Sequence, residues 1–105
     1  MKIMNAIVLI FVIVLAAQAN AQTSSKDLFA GKCAICHSAD GSASTVMGNK
    51  LKIRSFHSPD VQSKPDADLK AMISKGKGAM PSFSGKLTDA QIDEMVIYVR
   101  GLGKK

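Results

Sequence analysis

The sequence is short of aromatic residues, cysteines and acidic residues. Its 105 residues include no Trp, four Phe, one Tyr and two Cys. A small domain with so few large side chains buries little apolar surface, and such domains usually depend on a disulfide, a metal or a cofactor for stability. Lys and Arg number 14 against 8 acidic residues, which gives a formal net charge of +6. These shortages favour a single small basic domain that needs a disulfide, a metal or a cofactor in addition to its hydrophobic core.

A long apolar run is also missing. The first 22 residues, "MKIMNAIVLIFVIVLAAQANAQ", have Lys2, then apolar residues 6–17, then the small residues of 19–21. This run is too short for a transmembrane helix, which needs roughly 20 apolar residues, and its flanks are those of a secretory signal peptide. We therefore expect residues 1–21 to be a cleaved signal peptide and residues 22–105 to form a periplasmic domain without a transmembrane segment. An uncleaved membrane tether is the alternative.

Both cysteines fall in one motif, "CAICH", at residues 33–37. A disulfide between Cys33 and Cys36 would close too short a loop to stabilise the chain. A thioredoxin-like redox pair belongs near a βαβ pattern, and the sequence shows little β alternation. Zinc needs about four ligands, and Cys33, Cys36, His37 and His57 could supply them only without the usual second ligand pair. C-x-x-C-H is the attachment signature of a c-type haem, so the motif favours two thioether bonds and an iron ligand, His37.

Apolar residues recur at helical spacing in three stretches, which predicts an all-α chain with three main helices. The first helix is expected over residues 25–36 and the second over residues 66–75, with Gly76 at its end. The third is expected to begin at a capping box formed by Thr88 and Gln91, and to end at Gly101 or Gly103. Residues 38–49 are rich in Ser and Gly and are expected to form a loop.

Three segments in a fixed order carry a family resemblance. They are "KDLFAGKCAICH" at 26–37, "GKGAMPSF" at 76–83 and "LTDAQIDEMVIYVRGLG" at 87–103. Together they resemble the small class I c-type cytochromes. The resemblance implies a cytochrome c fold whose three main helices and loops surround one covalently attached haem c, with the first and last helices crossing near it. It also implies a soluble one-electron carrier that cycles between Fe(II) and Fe(III), and not an enzyme.

Met80 is expected to be the second iron ligand. It follows "GKGA" and precedes Pro81, on irregular backbone that can arch toward a ring, and it matches the family's ligand segment. Met72 and Met95 lie on apolar helical stripes, where a methionine is more often core. Met47 follows His37 by only ten residues.

His57 lies in a polar turn, "SFHSPD", and is expected to be exposed. A bis-histidine site would be the alternative to Met80, with a lower reduction potential.

One departure from the family pattern concerns the proximal histidine. Many relatives have a proline shortly after the haem motif, whose carbonyl accepts the Nδ1–H of that histidine. No proline lies here between His37 and Pro59. Because a ligating imidazole generally needs an acceptor to fix its orientation, we expect a backbone carbonyl of residues 45–49 to serve instead.

The basic composition bears on the partners that the protein would bind. Lys32 adjoins the haem motif, and Lys75 and Lys77 flank the start of the Met80 segment. Positive charge around the haem edge would steer a redox donor and acceptor with acidic docking surfaces. We expect a monomer that binds no nucleic acid. The alternatives are an electron-transfer subunit of a larger periplasmic oxidoreductase, and a haem ligand sensor or peroxidase with a labile Met80 bond.

Overall fold

The computed structural model describes residues 23–105, so the predicted signal peptide lies outside the described residues. Within residues 23–105 the regular elements are all helical, as predicted, and none of these helices is long and apolar enough to cross a membrane. They are α1 Ser25–Lys32, α2 Ala34–His37, α3 Val46–Lys50, α4 Pro59–Gln62, α5 Asp66–Lys75 and α6 Asp89–Gly103.

The second and third predicted helices, α5 and α6, have the boundaries that their terminal residues predict. The α5 helix ends at Gly76, whose φ of 69° and ψ of 177° form a conformation that suits glycine. The α6 helix begins at the predicted capping box, in which the Gln91 N–H donates to Thr88 Oγ1 at 3.1 Å. The Thr88 N–H donates in return to Gln91 Oε1 at 2.8 Å.

The first predicted helix is interrupted at Cys33. Its start is as expected, because the Ser24 hydroxyl accepts the Asp27 N–H at 3.2 Å. Cys33 has a φ of −119°, which separates α1 from α2. The Cys33 N–H still donates to the Phe29 carbonyl at 2.9 Å, and the Cys33 carbonyl accepts the His37 N–H at 3.0 Å. The chain therefore bends at the haem motif without losing its backbone hydrogen bonds.

Two short helices, α3 and α4, were not among the three predicted helices. The α3 helix begins after Thr45, whose hydroxyl accepts the Gly48 N–H at 2.9 Å. The α4 helix begins with Pro59 at its first position, where a missing N–H costs nothing.

The core is built where α6 packs against α1 and α5. Phe29 of α1 and Met95 of α6 are its most deeply buried large side chains, each 2% exposed. The Phe29 and Tyr98 rings lie 5.1 Å apart between centroids, which joins the first helix to the last. The predicted apolar stripe of α6 is buried throughout; its members are Ile92, Met95, Val96, Val99 and Leu102.

Candidate functional site

The two thiols lie at the bend between α1 and α2. Cys33 and Cys36 are both half-buried, and Cys33 packs against the core cluster. Residues three apart on a helical turn are neighbours on one face, so this turn can present both thiols to one flat group. Burial raises the pKa of the Cys33 thiol, partly offset by the nearby Lys32 ammonium.

The His37 imidazole follows directly on the same turn. Its burial lowers the pKa of His37 below the ordinary value, because a low-dielectric surrounding disfavours the charged form. The ring is therefore neutral at neutral pH, which is the form that binds metals. Nδ1 is buried and has no hydrogen-bond partner within residues 23–105.

The expectation that a carbonyl of residues 45–49 accepts the His37 Nδ1–H is wrong. These carbonyls instead accept backbone N–H groups of the chain that follows. Thr45 O accepts from Asn49 at 3.0 Å, and Gly48 O accepts from Ile53 at 2.9 Å. The physical reason is the unforeseen helix α3, whose carbonyls bond to N–H groups of the helix and of the residues just after it.

An aromatic ring is stacked on one face of the imidazole. The Phe56 and His37 rings are stacked, with centroids 4.7 Å apart and an interplanar angle of 24°. Phe56 is 8% exposed and belongs to the core cluster. Sequence reasoning missed this contact, since nothing in "RSFHSPD" marks the phenylalanine as a neighbour of the haem motif.

The α3 helix lies with its backbone directly against the haem motif. The Thr45 hydroxyl donates to the Cys36 carbonyl at 3.0 Å. A Cβ on Gly48 would lie 2.7 Å from the same carbonyl oxygen and would overlap the Ala43 carbonyl. Only glycine allows this approach, so Thr45 and Gly48 fix the turn that carries the thiols and the imidazole.

Met80 is held on a short irregular loop after α5. Lys77 and Met80 exchange two backbone hydrogen bonds of 3.0 Å, which closes a tight turn through Gly78 at a φ of 56°. The loop then returns to α5, where the Phe83 N–H donates to the Ile73 carbonyl at 3.1 Å. Met80 is half-buried and packs against the same core cluster as Cys33.

The other candidate ligands occupy different settings. His57 is exposed, as expected, and its Nε2 lies 3.1 Å from the Asp40 carbonyl oxygen. Met95 is core at 2% exposure, Met47 is 38% exposed and Met72 is half-buried on α5. In the part of the chain that the structure describes, no group of three or more His, Cys, Asp and Glu side chains is arranged to hold a metal ion by itself, as a zinc site would require.

The donor set fits a c-type haem. Two thiols stand one turn apart, a neutral imidazole follows them, and a thioether lies on a separate loop against the same core. Because Nδ1 of His37 is buried, Nε2 is the ring nitrogen that an iron would bind. Thiols and a thioether are soft donors and imidazole suits iron, so the chemistry of the four groups agrees with the group that the motif predicts.

Comparisons with known proteins agree with this assignment. A family model described as "Cytochrome C oxidase, cbb3-type, subunit III" matches residues 20–99. Cytochrome c6 of Thermosynechococcus vestitus (strain NIES-2133 / IAM M-273 / BP-1) is 38% identical over 95 residues, which cover 90% of this chain and 81% of the relative. Cytochrome c6 of Parathermosynechococcus lividus is 41% identical over 73 residues, covering 69% of this chain and 79% of the relative.

The fold has a counterpart among solved structures. The structure described as "KustC0563 c-type cytochrome" aligns with a TM-score of 0.70 and 29% identity, covering 76% of this chain and 98% of that chain. Sequence, fold and donor set agree. The chain belongs to the class I c-type cytochromes, small helical electron carriers with one covalently bound haem c.

Proposed function

We propose that the protein is a periplasmic one-electron carrier in which Cys33 and Cys36 would hold the haem by thioether bonds, and His37 and Met80 would bind its iron. One observation carries the proposal: Cys33 of the haem motif and Met80 of the distant loop border one core cluster. The haem, when bound, supplies a centre that gains and loses one electron, and a methionine ligand raises its potential.

The two ligands explain why the function is transfer and not catalysis. With His37 and Met80 both bound to it, the iron would have no open site for a substrate. The turn at residues 77–80 is closed by two backbone hydrogen bonds, and α2 is fixed against α3. Ligands held in this way change little between the two oxidation states, which favours fast electron transfer.

The experiment that tests the ligation compares Met80→Ala with Met72→Ala. Both methionines are half-buried, but only Met80 lies on the irregular loop. We expect Met80→Ala to abolish the near-infrared band of methionine-bound ferric haem and to let the reduced protein bind CO. Met72→Ala should keep the band and resist CO. A Met80→Ala protein whose spectra match the wild type would refute the assignment.

The proposal includes the processing of the chain. Residues 1–21 have the signal-peptide pattern, and residues 22–105 would remain as one cytochrome c domain in the periplasm. N-terminal sequencing of purified protein should begin at Gln22. Recovery of Met1 from fully processed protein would contradict export with cleavage.

The partners follow from the charge. The formal net charge of the full sequence is +6, and only Lys2 of its charged residues lies in residues 1–21. Lys32, Lys75 and Lys77 are exposed near the haem motif and the Met80 loop in sequence. We propose that a monomer docks in turn on a redox donor and a redox acceptor through acidic surfaces.

A permanent subunit of a larger oxidoreductase is the second candidate. It is favoured by the description of the matching family model, which names a subunit of an oxidase. Gel filtration of the native extract and co-purification distinguish the two. A free carrier elutes alone at the size of the chain, whereas a subunit elutes with its partners.

A further inference from the structure

The proximal imidazole has one face against an aromatic ring and a buried nitrogen with no acceptor. The Phe56 ring stacks on His37 with centroids 4.7 Å apart. His37 Nδ1 is buried and has no hydrogen-bond partner among residues 23–105. The usual means of fixing a ligating imidazole is a hydrogen bond to its second nitrogen, so the orientation of this ring must depend on another contact.

Phe56 is itself held on several sides. Its N–H donates to the Gly41 carbonyl at 2.8 Å, and its carbonyl accepts from Gln62 Nε2 at 2.5 Å. A Cβ on Gly41 would lie 2.6 Å from the Phe56 ring, so glycine is required there for contact as well as for its φ of 77°. The Phe29 ring meets Phe56 edge-on at 6.1 Å between centroids. These contacts leave the Phe56 ring little freedom to turn.

We propose that Phe56 is the positioning residue of the proximal histidine. Its ring sets the plane of the His37 imidazole and keeps water from Nδ1, in place of the hydrogen-bond acceptor that orients such a ring elsewhere. The inference rests on the proposed ligation of iron by His37.

The contact has a consequence for the reduction potential. A hydrogen bond from Nδ1 makes an imidazole more basic and a stronger electron donor. A stronger donor stabilises ferric iron more than ferrous iron and so lowers the potential. By keeping water from Nδ1, which has no acceptor within residues 23–105, Phe56 would hold the potential higher than a water bound there would allow.

The test is made on the holoprotein with two matched variants. Phe56→Leu and Leu87→Ala each remove three side-chain carbons from one core cluster, at residues that are 8% and 7% exposed. Leu87 lies just before α6, where its N–H donates to Phe83 O. The readouts are the paramagnetic shifts of the haem methyl protons in the ferric protein, which report the plane of the axial imidazole, and the reduction potential.

We expect Phe56→Leu to redistribute the haem methyl shifts and lower the potential while the near-infrared band of Met80 ligation persists. Leu87→Ala should keep the wild-type pattern and potential. Wild-type values in Phe56→Leu, or equal changes in both variants, would overturn the positioning role and leave the ligation by His37 intact. A wild-type ferric protein without histidine ligation would overturn both.

A measurement on the wild type decides the matter even where Phe56→Leu does not fold. In the reduced, diamagnetic holoprotein we expect nuclear Overhauser effects between the ring protons of Phe56 and those of His37. Their absence, in spectra that show the Phe29 to Tyr98 contact, would overturn the proposal.

Discussion

A Cβ on Gly76 would lie 2.5 Å from the carbonyl oxygen of Met80. The close approach comes from the turn at Gly76, which ends α5 and directs the chain back across its own last turn. The next atoms that the Cβ would meet belong to the backbone of Pro81 and Ser82, which cannot move aside as a flexible side chain could. The backbone of the loop that carries the proposed methionine ligand therefore packs directly against Gly76, where a side chain would not fit.

Gly76→Ala should destabilise the protein more than Gly78→Ala. Both glycines have positive φ, 69° and 56°, so an alanine is strained at either site, and at Gly76 the ψ of 177° makes the conformation essentially restricted to glycine. At Gly78 nothing lies within 4 Å of the added Cβ, whereas at Gly76 the Cβ overlaps backbone. We expect Gly76→Ala to lose more than about 2 kcal/mol of unfolding free energy and to weaken the near-infrared band. If denaturant titrations show that the two variants lose equal unfolding free energy, the close packing of the loop against Gly76 is contradicted.

Arg100→Lys should destabilise the protein where Arg54→Lys does not. The Arg100 guanidinium donates to Asp66 Oδ1 at 2.9 Å and to the carbonyls of Gln62 and Lys64, and the single ammonium of a lysine cannot reproduce this fork. We expect a loss of about 1–3 kcal/mol, measured by urea unfolding.

Arg54 provides the control for that comparison. It pairs with Asp60 at 3.2 Å, but both side chains are 68% exposed. Such surface pairs contribute about 0–1 kcal/mol, and a lysine can keep the pair. A loss at Arg100 as small as that at Arg54 would show that α6 is not tied to the α4–α5 connection through this guanidinium.

The loop after the haem motif should show a pH dependence of its own. The Ser42 hydroxyl and N–H donate to Asp40 Oδ1 at 2.6 and 3.0 Å, and together with Ser38 they lower the pKa of Asp40 to about 2. The unfolded value is about 3.9. The stabilisation is therefore complete above pH ~4 and is lost as the pH falls toward ~2.

Ser42→Ala removes one of those donors and tests the effect. A carboxyl titration followed by NMR should show the pKa of Asp40 moving upward in the variant, with less difference in stability between pH ~4 and ~2. An Asp40 that titrates alike in both proteins would disprove the role of the Ser42 hydroxyl.

Lysines beside the Met80 loop should govern encounter with anions. The oxidation of the reduced protein by ferricyanide should slow as ionic strength rises, since salt screens the attraction. We expect Lys77→Gln to lower the low-salt rate several-fold and Lys105→Gln to change it little; both lysines are exposed. A rate that does not vary with ionic strength would leave electrostatic steering without support.

The sequence was sufficient for the helices whose signals are local. The capping box at Thr88 marks the start of α6, and the glycine at position 76 marks the end of α5. Both signals depend on hydrogen bonds or dihedral preferences within a few residues. The α3 helix escaped prediction because its stability depends on distant partners. Its Gly48 packs on Ala43 and Cys36 backbone, and its cap, Thr45, also bonds to Cys36.

The candidate site also has a part that the sequence predicts and a part that it does not. The haem motif and the Met80 segment could be read from residue types and spacing. The stacking of Phe56 on His37 could not, because it depends on a positive φ at Gly41 and on Gln62, which lie 15 residues before and six residues after Phe56. Contacts between segments that come together only on folding produce no recognisable pattern in the sequence.

The central claim is that a haem is covalently bound through Cys33 and Cys36, and its most direct test is the mass of the purified, denatured protein. After extraction with acidified acetone, we expect a coloured polypeptide whose mass is that of the processed chain plus one haem. A colourless polypeptide with the mass of the chain alone would contradict it.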